Sequence, residues 1–458
     1  MKYFSFIFFL YFFLGPCNRP NTLSYSGDPK EVFNKFCADC HGNDGEEFAT
    51  AEWQAKAERT KIFTAIKEGI IVEGMPAYGE TMTDKQIYAL SDFILNLSKK
   101  EQSEANSSNV QKKENIKTNL IIEDLDKPWG LVILPNGKFL VTERSGELIL
   151  ITNYNDKKII DNLPPIWSNG QGGLLDIILH PKFEENNIIY CSYSKPQEDN
   201  NNYAATAIFK AKLNTQKFQL EDVEDIFIAL PYHNTGRHFG SRMIIDNDNY
   251  LYVSVGDRGN RDVFPQSLEN GNGNIHRINL DGSIPESNPF NNTPNAVKSI
   301  YSYGHRNPQG LVYDKANNKI WTNEHGPKGG DEINLVEAGK NYGWPIVSFG
   351  INYTGTVFTE LTTKKGMEDP DWYWVPSIAP CGMAFISSDK YPQWQGDILN
   401  GSLKFDYVMW TDIEDGKIIK EEPLFENIGR VRNVVEASDG FIYVAVEGPG
   451  RIYKVITE

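Results

Sequence analysis

The chain has 458 residues, of which 40% are hydrophobic and 12% aromatic, so it is long enough for two or three domains with packed cores. Its formal net charge of −16 argues against nucleic acid and anionic membrane surfaces as partners, because both attract basic proteins. Against this acidic background, a local gathering of arginines and lysines would mark an anion-binding site.

The N-terminal segment, residues 1–17, is predicted to be a signal peptide. Its apolar run is too short to span a bilayer as a helix and is typical of a signal-peptide core. The run ends in a loose lipoprotein box at Cys17, although Pro16 stands where a small residue is usual. Lipidation of Cys17 and ordinary cleavage nearby both remain open. Either outcome predicts a periplasmic or otherwise extracytoplasmic location.

Residues 27–100 are predicted to form a small all-α domain that holds a haem. The motif Cys37-x-x-Cys40-His41 supplies two thiols for the vinyl groups of one porphyrin edge and an imidazole for its iron. Met75, between a glycine and a proline, offers a thioether as the sixth ligand. A thioredoxin-type site would need a βαβ pattern and a zinc ribbon a second cysteine pair, and the sequence shows neither.

The motif, Met75 and an amphipathic helix predicted at about 84–98 together make this segment resemble a class I cytochrome c. The resemblance implies that Cys37 and Cys40 bind haem c covalently. It also implies that His41 and Met75 are the axial ligands of the iron. A His/Met pair suits electron transfer and leaves no open position for chemistry.

Residues 119–458 repeat one pattern, after a stretch at 101–118 that is rich in Ser, Asn, Lys and Gln and is predicted to be a flexible linker. Each copy has an apolar run, a polar turn and a second apolar strand. Six copies at blade-sized steps predict an all-β six-bladed β-propeller, in which ring closure buries faces that one blade cannot bury alone. An ordinary β-sandwich is the alternative. The copies are centred on Leu131, Leu175, Met243, Leu311, Met383 and Val434.

A candidate general base lies in the third copy. His238 comes just before one predicted strand and Asp257 just after the next, so a single hairpin brings both to the same end of a blade. A neutral imidazole held by a carboxylate is a general base near neutral pH. A structural histidine is the alternative for His238 taken alone.

Four cations, Arg306, Lys404, Arg430 and Arg432, come from three separate blades and stand near predicted strand ends. In a propeller such ends meet near the central axis. Alternation along a strand puts Arg430 and Arg432 on the same side. Gathered cations repel one another unless an anion is present, so a polyanionic ligand is predicted. Solvated surface charges are the alternative.

Nearly all of residues 121–458 resembles the soluble glucose, aldose and sorbosone dehydrogenases that depend on pyrroloquinoline quinone (PQQ). The segment Gly304-His305-Arg306-Asn307-Pro308-Gln309-Gly310 is typical of that family. The other matching segments, in the family's order, are 171–175, 238–242, 256–257, 280–285, 326–327, 331–335, 341–345, 401–404 and 430–432.

The resemblance implies that a sugar is oxidised by hydride transfer to PQQ. His238 would remove the hydroxyl proton, Asp257 would orient the imidazole, and Arg306 would also stabilise charge that develops on the cofactor. The residues implied to bind PQQ are Gln171, Arg306, Asn307, Lys404, Arg430 and Arg432.

Calcium is implied by the same resemblance. The backbone carbonyls of Gly326 and Pro327 would hold a Ca²⁺ that polarises the cofactor. A second, structural Ca²⁺ is implied near Glu332 and the carbonyl of Tyr342. The sequence departs from some glucose-oxidising members at Arg237, where they have an acidic residue, and this puts glucose specificity in doubt rather than activity.

The two predicted domains have complementary electron chemistry, because a reduced quinone carries two electrons and a haem accepts one at a time. The expected function is therefore a periplasmic quinohaemoprotein that oxidises an aldose or a related sugar alcohol or aldehyde. Electrons would pass through haem c to an external acceptor such as a soluble cytochrome, and any membrane contact would be made through a lipid on Cys17. The tether raises the local concentration of the haem.

Two other classes of function remain open at this stage. One is a non-catalytic extracellular propeller that binds sugar or protein. The other is a Ca²⁺-dependent propeller hydrolase such as a lactonase, which would need carboxylate ligands on the axis and no haem. The sequence also leaves open whether Cys191 and Cys381 form a disulfide.

Overall fold

The computed structural model divides the chain into two compact units, residues 1–106 and 107–458. The expected signal peptide with Cys17, and the expected haem residues Cys40, His41 and Met75, lie outside the described residues and stay predictions. The structure describes residues 29–37, 59–70, 77–79, 81–105, 116–153 and 156–457.

The described part of the first unit is helical, with α1 (Pro29–Phe36), α2 (Arg59–Glu68) and α3 (Asp84–Ala105). A capping box starts α3, since the Thr83 N–H donates to Gln86 Oε1 at 2.8 Å and the Gln86 N–H points back at Thr83 Oγ1 at 3.4 Å. The apolar faces of the helices meet in one cluster. Its buried members are Val32, Phe33, Cys37, Ile62, Ile66, Met82, Ile87, Leu90 and Ile94.

Regular structure enters both ends of the segment predicted as a linker. Helix α3 continues to Ala105 instead of ending near Ser98, and the first strand, β1 (Ile116–Leu125), begins before the segment ends. Residues 106–115 lie outside the described residues. The apolar side of β1, which includes Ile122 and Leu125, explains why this part of the chain joins a sheet.

The second unit consists, over residues 116–457, of six four-stranded antiparallel sheets, which confirms the predicted six-bladed propeller. Blades 1 to 3 follow the chain in order. Blade 1 has β2 (Pro128–Ile133), β3 (Phe139–Glu143), β4 (Leu148–Asn153) and β5 (Asp156–Ile159). Blade 2 has β6 (Leu174–Leu179), β7 (Ile188–Gln197), β8 (Asn200–Asn214) and β9 (Gln219–Ile228), with a short helix α4 (Phe183–Asn186) after β6. Blade 3 has β10 (Met243–Ile245), β11 (Tyr250–Val255), β12 (Asn274–Asn279) and β13 (Ile300–Tyr303).

Blades 4 and 5 repeat this order, and blade 6 closes the ring by combining the last three strands with β1. Blade 4 has β14 (Pro308–Asp314), β15 (Lys319–Glu324), β16 (Asp331–Val336) and β17 (Trp372–Trp374). Blade 5 has β18 (Pro380–Phe385), β19 (Ile398–Ser402), β20 (Val408–Glu414) and β21 (Lys417–Leu424). Blade 6 adds β22 (Val431–Glu436), β23 (Ile442–Glu447) and β24 (Gly450–Thr457) to β1. In blade 6, β1 pairs antiparallel with β24 along most of its length.

The hydrophobic core lies between neighbouring blades. Each of the six junctions has its own apolar cluster: Leu150 and Leu213 mark the junction of blades 1 and 2, and Ile122 and Val141 that of blades 6 and 1. Because both faces of a blade are covered, its strands are apolar in near-continuous runs rather than strict alternation. The ring is thus stabilised as a whole.

Antiparallel order fixes which connections share a face. The links from one blade to the next emerge at the same end as the links from the second to the third strand within a blade, and we call this end the upper face. The links from first to second strand emerge at the opposite end. Residues from six separate segments are therefore brought to one face by the strand order alone.

Two further features answer questions left by the sequence. Cys191 and Cys381 are both buried free thiols, so they form no disulfide with each other. Among the residues that the structure describes, no helix has the length and hydropathy required to cross a membrane.

Ring closure can be tested at β1. Ile122 is 1% exposed, pairs with Ile452 and belongs to the cluster between blades 6 and 1. We expect Ile122→Ala to lower the free energy of unfolding by about 2–5 kcal/mol through lost packing and a cavity. The measurement is urea unfolding followed by tryptophan fluorescence.

Leu120→Ala is the matched control, because Leu120 lies in the same strand and is 40% exposed. Its effect should stay within about 0.5 kcal/mol. Equal effects of the two substitutions would contradict the closing role of β1.

Candidate active site

The structure places most of the predicted site residues on connections of the upper face. Gln171 precedes β6, His238 lies between β9 and β10, and Asp257 follows β11. The others also follow or precede strands at this face, except that Arg432 lies within β22, Glu332 lies within β16 and Tyr342 lies in the long connection between β16 and β17. Those on upper-face connections are Gln171, His238, Asp257, Arg306, Asn307, Gly326, Pro327, Lys404 and Arg430.

The centre of the site is a histidine–aspartate pair. His238 Nδ1 lies 2.6 Å from Asp257 Oδ1, and the Asp257 side chain is 1% exposed. His238 has a φ of 53°, a left-handed conformation that is uncommon outside glycine. Its backbone is held by Gln171, whose Oε1 accepts the His238 N–H at 2.7 Å. A methyl group on Gly256 would lie 2.3 Å from the His238 carbonyl oxygen, so only glycine fits there.

The protonation of this pair follows from its surroundings. Burial and the nearby Arg306 cation lower the pKa of His238, while Asp257 acts in the opposite direction. Burial alone would raise the pKa of Asp257, but hydrogen bonds from His238 and the Gly259 N–H, with the Arg306 charge, hold it below its usual value. Asp257 is thus ionised and Nδ1 carries the proton it donates. Nε2 is left as the proton acceptor.

Arg306 lies beside this pair and is 7% exposed. Its Nη1 donates to the His325 carbonyl at 2.8 Å, and its guanidinium stands 5.3 Å from the ring centre of Trp344. The Arg306 backbone is fixed by Glu324, whose Oε2 accepts its N–H at 2.6 Å. The Arg306 carbonyl in turn accepts the Asp257 N–H at 2.8 Å. Arg306 therefore connects the histidine–aspartate pair to blade 4.

The Gly326–Pro327 turn is held by the neighbouring Asp331. Asp331 Oδ1 accepts the Gly326 N–H at 2.8 Å and the Ser377 hydroxyl at 2.9 Å, and Oδ2 accepts the Ala379 N–H at 2.8 Å. Burial raises the pKa of Asp331 to about 6 against these hydrogen bonds. The Pro327 carbonyl receives a long contact of 3.4 Å from Ser377. The turn is fixed chiefly by its N–H groups.

Lys404 and Arg430 are the exposed cations of the site. Lys404 Nζ donates to the Ser377 carbonyl at 3.0 Å, which places it beside the Gly326–Pro327 turn. Arg430 Nη1 donates to the Leu403 carbonyl at 2.7 Å, so it stands next to Lys404. Both side chains keep donors that these hydrogen bonds do not use.

Arg432 differs from the other three cations because it is buried, at 6% exposure. Its Nη1 contacts Gln309 Oε1 at 3.1 Å and Cys381 Sγ at 3.0 Å, and its Nη2 pairs with Glu447 at 2.8 Å. Arg430 pairs with the other oxygen of the same carboxylate at 3.1 Å. The inference that only a bound ligand could gather these arginines was therefore incomplete, since Glu447 is a resident anion between two of them.

The axis below the site is closed by a second ion pair. Arg242 Nη1 bonds Asp176 at 2.8 Å, and both side chains are buried. The Trp129 ring lies under Arg242, 4.2 Å from its guanidinium. Asn307 belongs to this lower layer: it is 1% exposed, and its Oδ1 accepts long hydrogen bonds from the Gly240 N–H (3.3 Å) and from the Gln309 side chain.

The residues expected at a second Ca²⁺ are linked indirectly. Asn334 Nδ2 contacts Glu332 at 3.3 Å and Glu324 at 3.4 Å. Glu324 contacts His305, whose ring stacks 4.6 Å from that of Tyr342. Burial and the neighbouring Glu324 raise the pKa of Glu332. Within the described residues, the structure shows no group of three or more acidic, histidine or cysteine side chains arranged around a metal position.

Four residues to which sequence reasoning assigned no role complete the site: Glu447, Asp331, Glu324 and Trp344. Trp344 Nε1 donates to Asp257 Oδ2 at 2.8 Å. Glu447 and Glu324 end buried strands, where an acidic residue is a signal in itself because a buried charge needs a partner. The role of Trp344 had no such signal, since it lies in a long connection between β16 and β17.

Comparison with known proteins defines the class of enzyme. Residues 125–454 match the family model of glucose/sorbosone dehydrogenases, and residues 27–94 match the model of subunit III of cbb3-type cytochrome c oxidase. The first match spans well over half of the chain. The chain therefore belongs to the glucose/sorbosone dehydrogenase family and carries an N-terminal cytochrome c domain. This confirms the expected enzyme class, a PQQ-dependent sugar dehydrogenase.

Individual relatives agree with this assignment. The chain is 38% identical over 349 residues to the aldose sugar dehydrogenase YliI of Escherichia coli, which covers 74% of this chain and 92% of the relative. It is 34% identical over 262 residues to quinoprotein glucose dehydrogenase B of Acinetobacter calcoaceticus, covering 52% and 54%. The crystal structure of the soluble E. coli aldose sugar dehydrogenase, an apo-form, superposes with a TM-score of 0.72 at 36% identity, over 75% of this chain and all of that one.

The resident anion gives a prediction about stability. We expect Glu447→Gln to destabilise the propeller by about 3 kcal/mol at pH 7, because Arg432 is left buried without its partner. The pKa of Glu447 is lowered overall: burial would raise it, but the two arginines outweigh burial. A carboxyl group whose pKa is lower in the folded state stabilises the fold at pH values above its unfolded-state pKa, and this stability is lost as the pH falls. The difference in free energy of unfolding between wild type and Glu447→Gln should therefore shrink below about pH 4.

Urea unfolding of both forms between pH 3 and 8 measures this difference. Glu422→Gln is the matched control, because Glu422 pairs with Lys420 on the surface and an exposed pair contributes about 0–1 kcal/mol. A Glu447→Gln effect as small as the control, or one independent of pH, would contradict the role of Glu447.

Proposed function

We propose that this chain is a quinohaemoprotein that oxidises an aldose or a related sugar alcohol or aldehyde and passes the electrons to its own haem c. The observation that carries the proposal is the His238–Asp257 pair, with Nε2 free of the Asp257 bond, beside Arg306 on the upper face. A proton acceptor next to fixed cations is what removal of a hydroxyl proton and hydride transfer require.

The residues present fit PQQ, which has three carboxylates and adjacent ring carbonyls. Arg306 and Lys404 each use one N–H on a backbone carbonyl and retain further donors for an anion. Arg430 bonds both the Leu403 carbonyl and Glu447 and retains fewer donors. Lys404 and Arg430 would hold carboxylates as exposed cations, and Gln171 lies on the His238 side. Asn307 and Arg432 lie deeper and would support the floor of the site. PQQ, when bound, supplies the two-electron acceptor for the substrate hydride.

The chain's own residues determine the proton chemistry. Asp257 accepts the hydrogen bond from His238 Nδ1–H, so the lone pair on Nε2 can accept the substrate's hydroxyl proton. Hydride leaves the carbon atom that bears that hydroxyl. Arg306, beside the pair, would stabilise negative charge that develops on the electron acceptor. Arg237, which follows Gly236, is exposed, and its charge contributes to lowering the pKa of the neighbouring His238. Its side chain would also contact the substrate and contribute to the choice of sugar.

Calcium forms part of the proposal. The Gly326 and Pro327 carbonyls would supply hard oxygen ligands, in a turn that Asp331 and Ser377 already hold in place. A Ca²⁺ there would polarise the bound quinone. A second Ca²⁺ near Glu332 and the Tyr342 carbonyl is proposed with it, since two buried acidic side chains close together need a cation or a proton.

The electron path and location complete the proposal. Haem c would be bound through Cys37 and Cys40, with His41 and Met75 on the iron; Cys37 lies in the apolar cluster of the first unit. Haem c would supply a one-electron carrier between the sugar-oxidising site and an external acceptor such as a soluble cytochrome. The protein would work in the periplasm or another extracytoplasmic compartment, with a lipid on Cys17 as its anchor if that cysteine is modified.

Haem reduction measures the whole path. The exported protein, reconstituted with PQQ and Ca²⁺, should show reduced haem bands when aldoses are added. His238→Ala should retain PQQ, seen by its absorbance after desalting, and lose about 10²–10⁴-fold in turnover, because the general base is gone.

His180→Ala is the control, since His180 follows β6 at the opposite end of the propeller and its ring stacks on Tyr190. It should leave turnover unchanged. If no sugar in a broad panel reduces the haem, the proposed function is wrong; if His238→Ala turns over normally, only the base assignment is wrong.

Calcium removal tests the metal. Chelation of the reconstituted enzyme should lower sugar-dependent haem reduction by at least about tenfold, because a metal that polarises an acceptor stabilises charge by several kcal/mol. Added Ca²⁺ should restore the rate, and Mg²⁺ should not, since it requires a smaller octahedral site. Full turnover in protein shown to be metal-free would contradict the calcium site.

A further inference from the structure

The two oxygens of the Asp257 carboxylate accept hydrogen bonds from different donors. Oδ1 accepts from His238 Nδ1 at 2.6 Å and from the Gly259 N–H at 2.7 Å. Oδ2 accepts from Trp344 Nε1 at 2.8 Å. A buried carboxylate needs all of these donors, because each unsatisfied oxygen is costly away from water. Trp344 is thus part of the hydrogen-bonded group that contains the catalytic histidine.

Trp344 is itself rigidly placed. Its N–H donates to the Gly304 carbonyl at 2.9 Å, and its carbonyl accepts from Gln266 Nε2 at 2.8 Å. Gly304 has a φ of 79°, and a methyl group there would lie 2.8 Å from the Gly343 nitrogen, so the two segments fit closely. The Phe358 ring packs edge-on against the indole at 5.3 Å. The two backbone hydrogen bonds hold Trp344 in place as a donor to Asp257.

We propose that Trp344 is a positioning residue for the proposed reaction: its indole N–H fixes the Asp257 carboxylate so that Oδ1 holds the His238 Nδ1–H and Nε2 remains the base. The indole also lies against Arg306, 5.3 Å from its guanidinium. One ring therefore contacts both the group that orients the base and the cation beside it. Part of the proposal rests on the proposed function, and part can be tested without it.

The expected effect follows from charge stabilisation. A hydrogen bond to an ionised carboxylate lowers its affinity for protons and weakens its attraction for an imidazolium. Without the indole N–H, Asp257 would hold a proton on the pair more tightly, so the shared apparent pKa of the pair would rise. The neutral base would then be lost at a higher pH.

Other charges around the pair act in a fixed way and stay in place. Those that face His238 are Arg306, Arg237 and His325; those near Asp257 are Arg306, Arg258 and His233. All of the arginines favour the unprotonated pair. Burial lowers the pKa of both His233 and His325, and the wild type and the variant share all of these neighbours, so the difference between them reports the lost hydrogen bond.

Trp344→Phe removes the N–H and keeps an aromatic ring beside Arg306. In the full chain without PQQ or sugar, we expect the titration of His238 to move up by about 0.5–1 pH unit, since part of a charged hydrogen bond is lost. The measurement is ¹⁵N NMR of ring-labelled histidines, of which there are seven, with His238 identified by its absence in His238→Gln. In the reconstituted enzyme, the acid limb of kcat/KM should move up equally, with kcat about tenfold lower and KM nearly unchanged.

Phe358→Leu is the matched control, because Phe358 packs on the same indole and bonds neither His238 nor Asp257. It should leave both titrations in place. Should Trp344→Phe fail to fold, Gln266→Met, which releases the Trp344 carbonyl, should give a smaller shift in the same direction. An unchanged His238 titration in the folded variant, or an equal shift in Phe358→Leu, overturns the proposal. An NMR shift without any sugar oxidation supports Trp344 and counts only against the proposed function.

Discussion

Closure of the ring by β1 is the constraint on which the rest of the structure depends. β1 pairs with β24, and Ile122 packs between the first and last blades, so the six sheets form one closed set of junctions. Only in a closed ring do connections from six distant segments share one face near one axis. The hydrogen bond between His238 and Asp257 lies within one blade and Arg306 lies on the next connection, whereas Lys404 and Arg430 come from later blades and share this face through the ring.

Within that ring, the protein holds its cations with permanent partners rather than leaving them for a ligand. Glu447 takes both Arg430 and Arg432, and Asp176 takes Arg242 on the axis. Backbone carbonyls take Arg306 and Lys404. The arrangement is stable before any anion binds, and a site formed in advance spends little binding energy on ordering its side chains. An acidic chain can therefore keep a basic pocket.

Sequence reasoning predicted the fold, and it chose candidate site residues that mostly lie on one face of the ring, because those features have local signals. The six apolar runs marked the innermost strands, and Cys37-x-x-Cys40-His41 and the segment around Arg306 are short motifs. The partners were missed because they depend on contacts far apart in sequence: Glu447 meets Arg430 from the neighbouring strand, and Trp344 meets Asp257 across 87 positions. Composition also did not show that regular structure enters both ends of the predicted linker, where α3 runs to Ala105 and β1 begins at Ile116.

Arg306 and Asp257 have opposite effects on the pKa of His238. Cations that attract an anionic ligand also make a nearby imidazole less willing to accept a proton, as Arg306 does to His238. A buried carboxylate restores basicity, but an uncontrolled one would keep the imidazole protonated. The Asp257 carboxylate raises the basicity of His238 only moderately, because it also accepts hydrogen bonds from Gly259 and Trp344 besides the one from His238. His238 can therefore be neutral at physiological pH beside a cation, because the Asp257 carboxylate behind it is charged and accepts three hydrogen bonds.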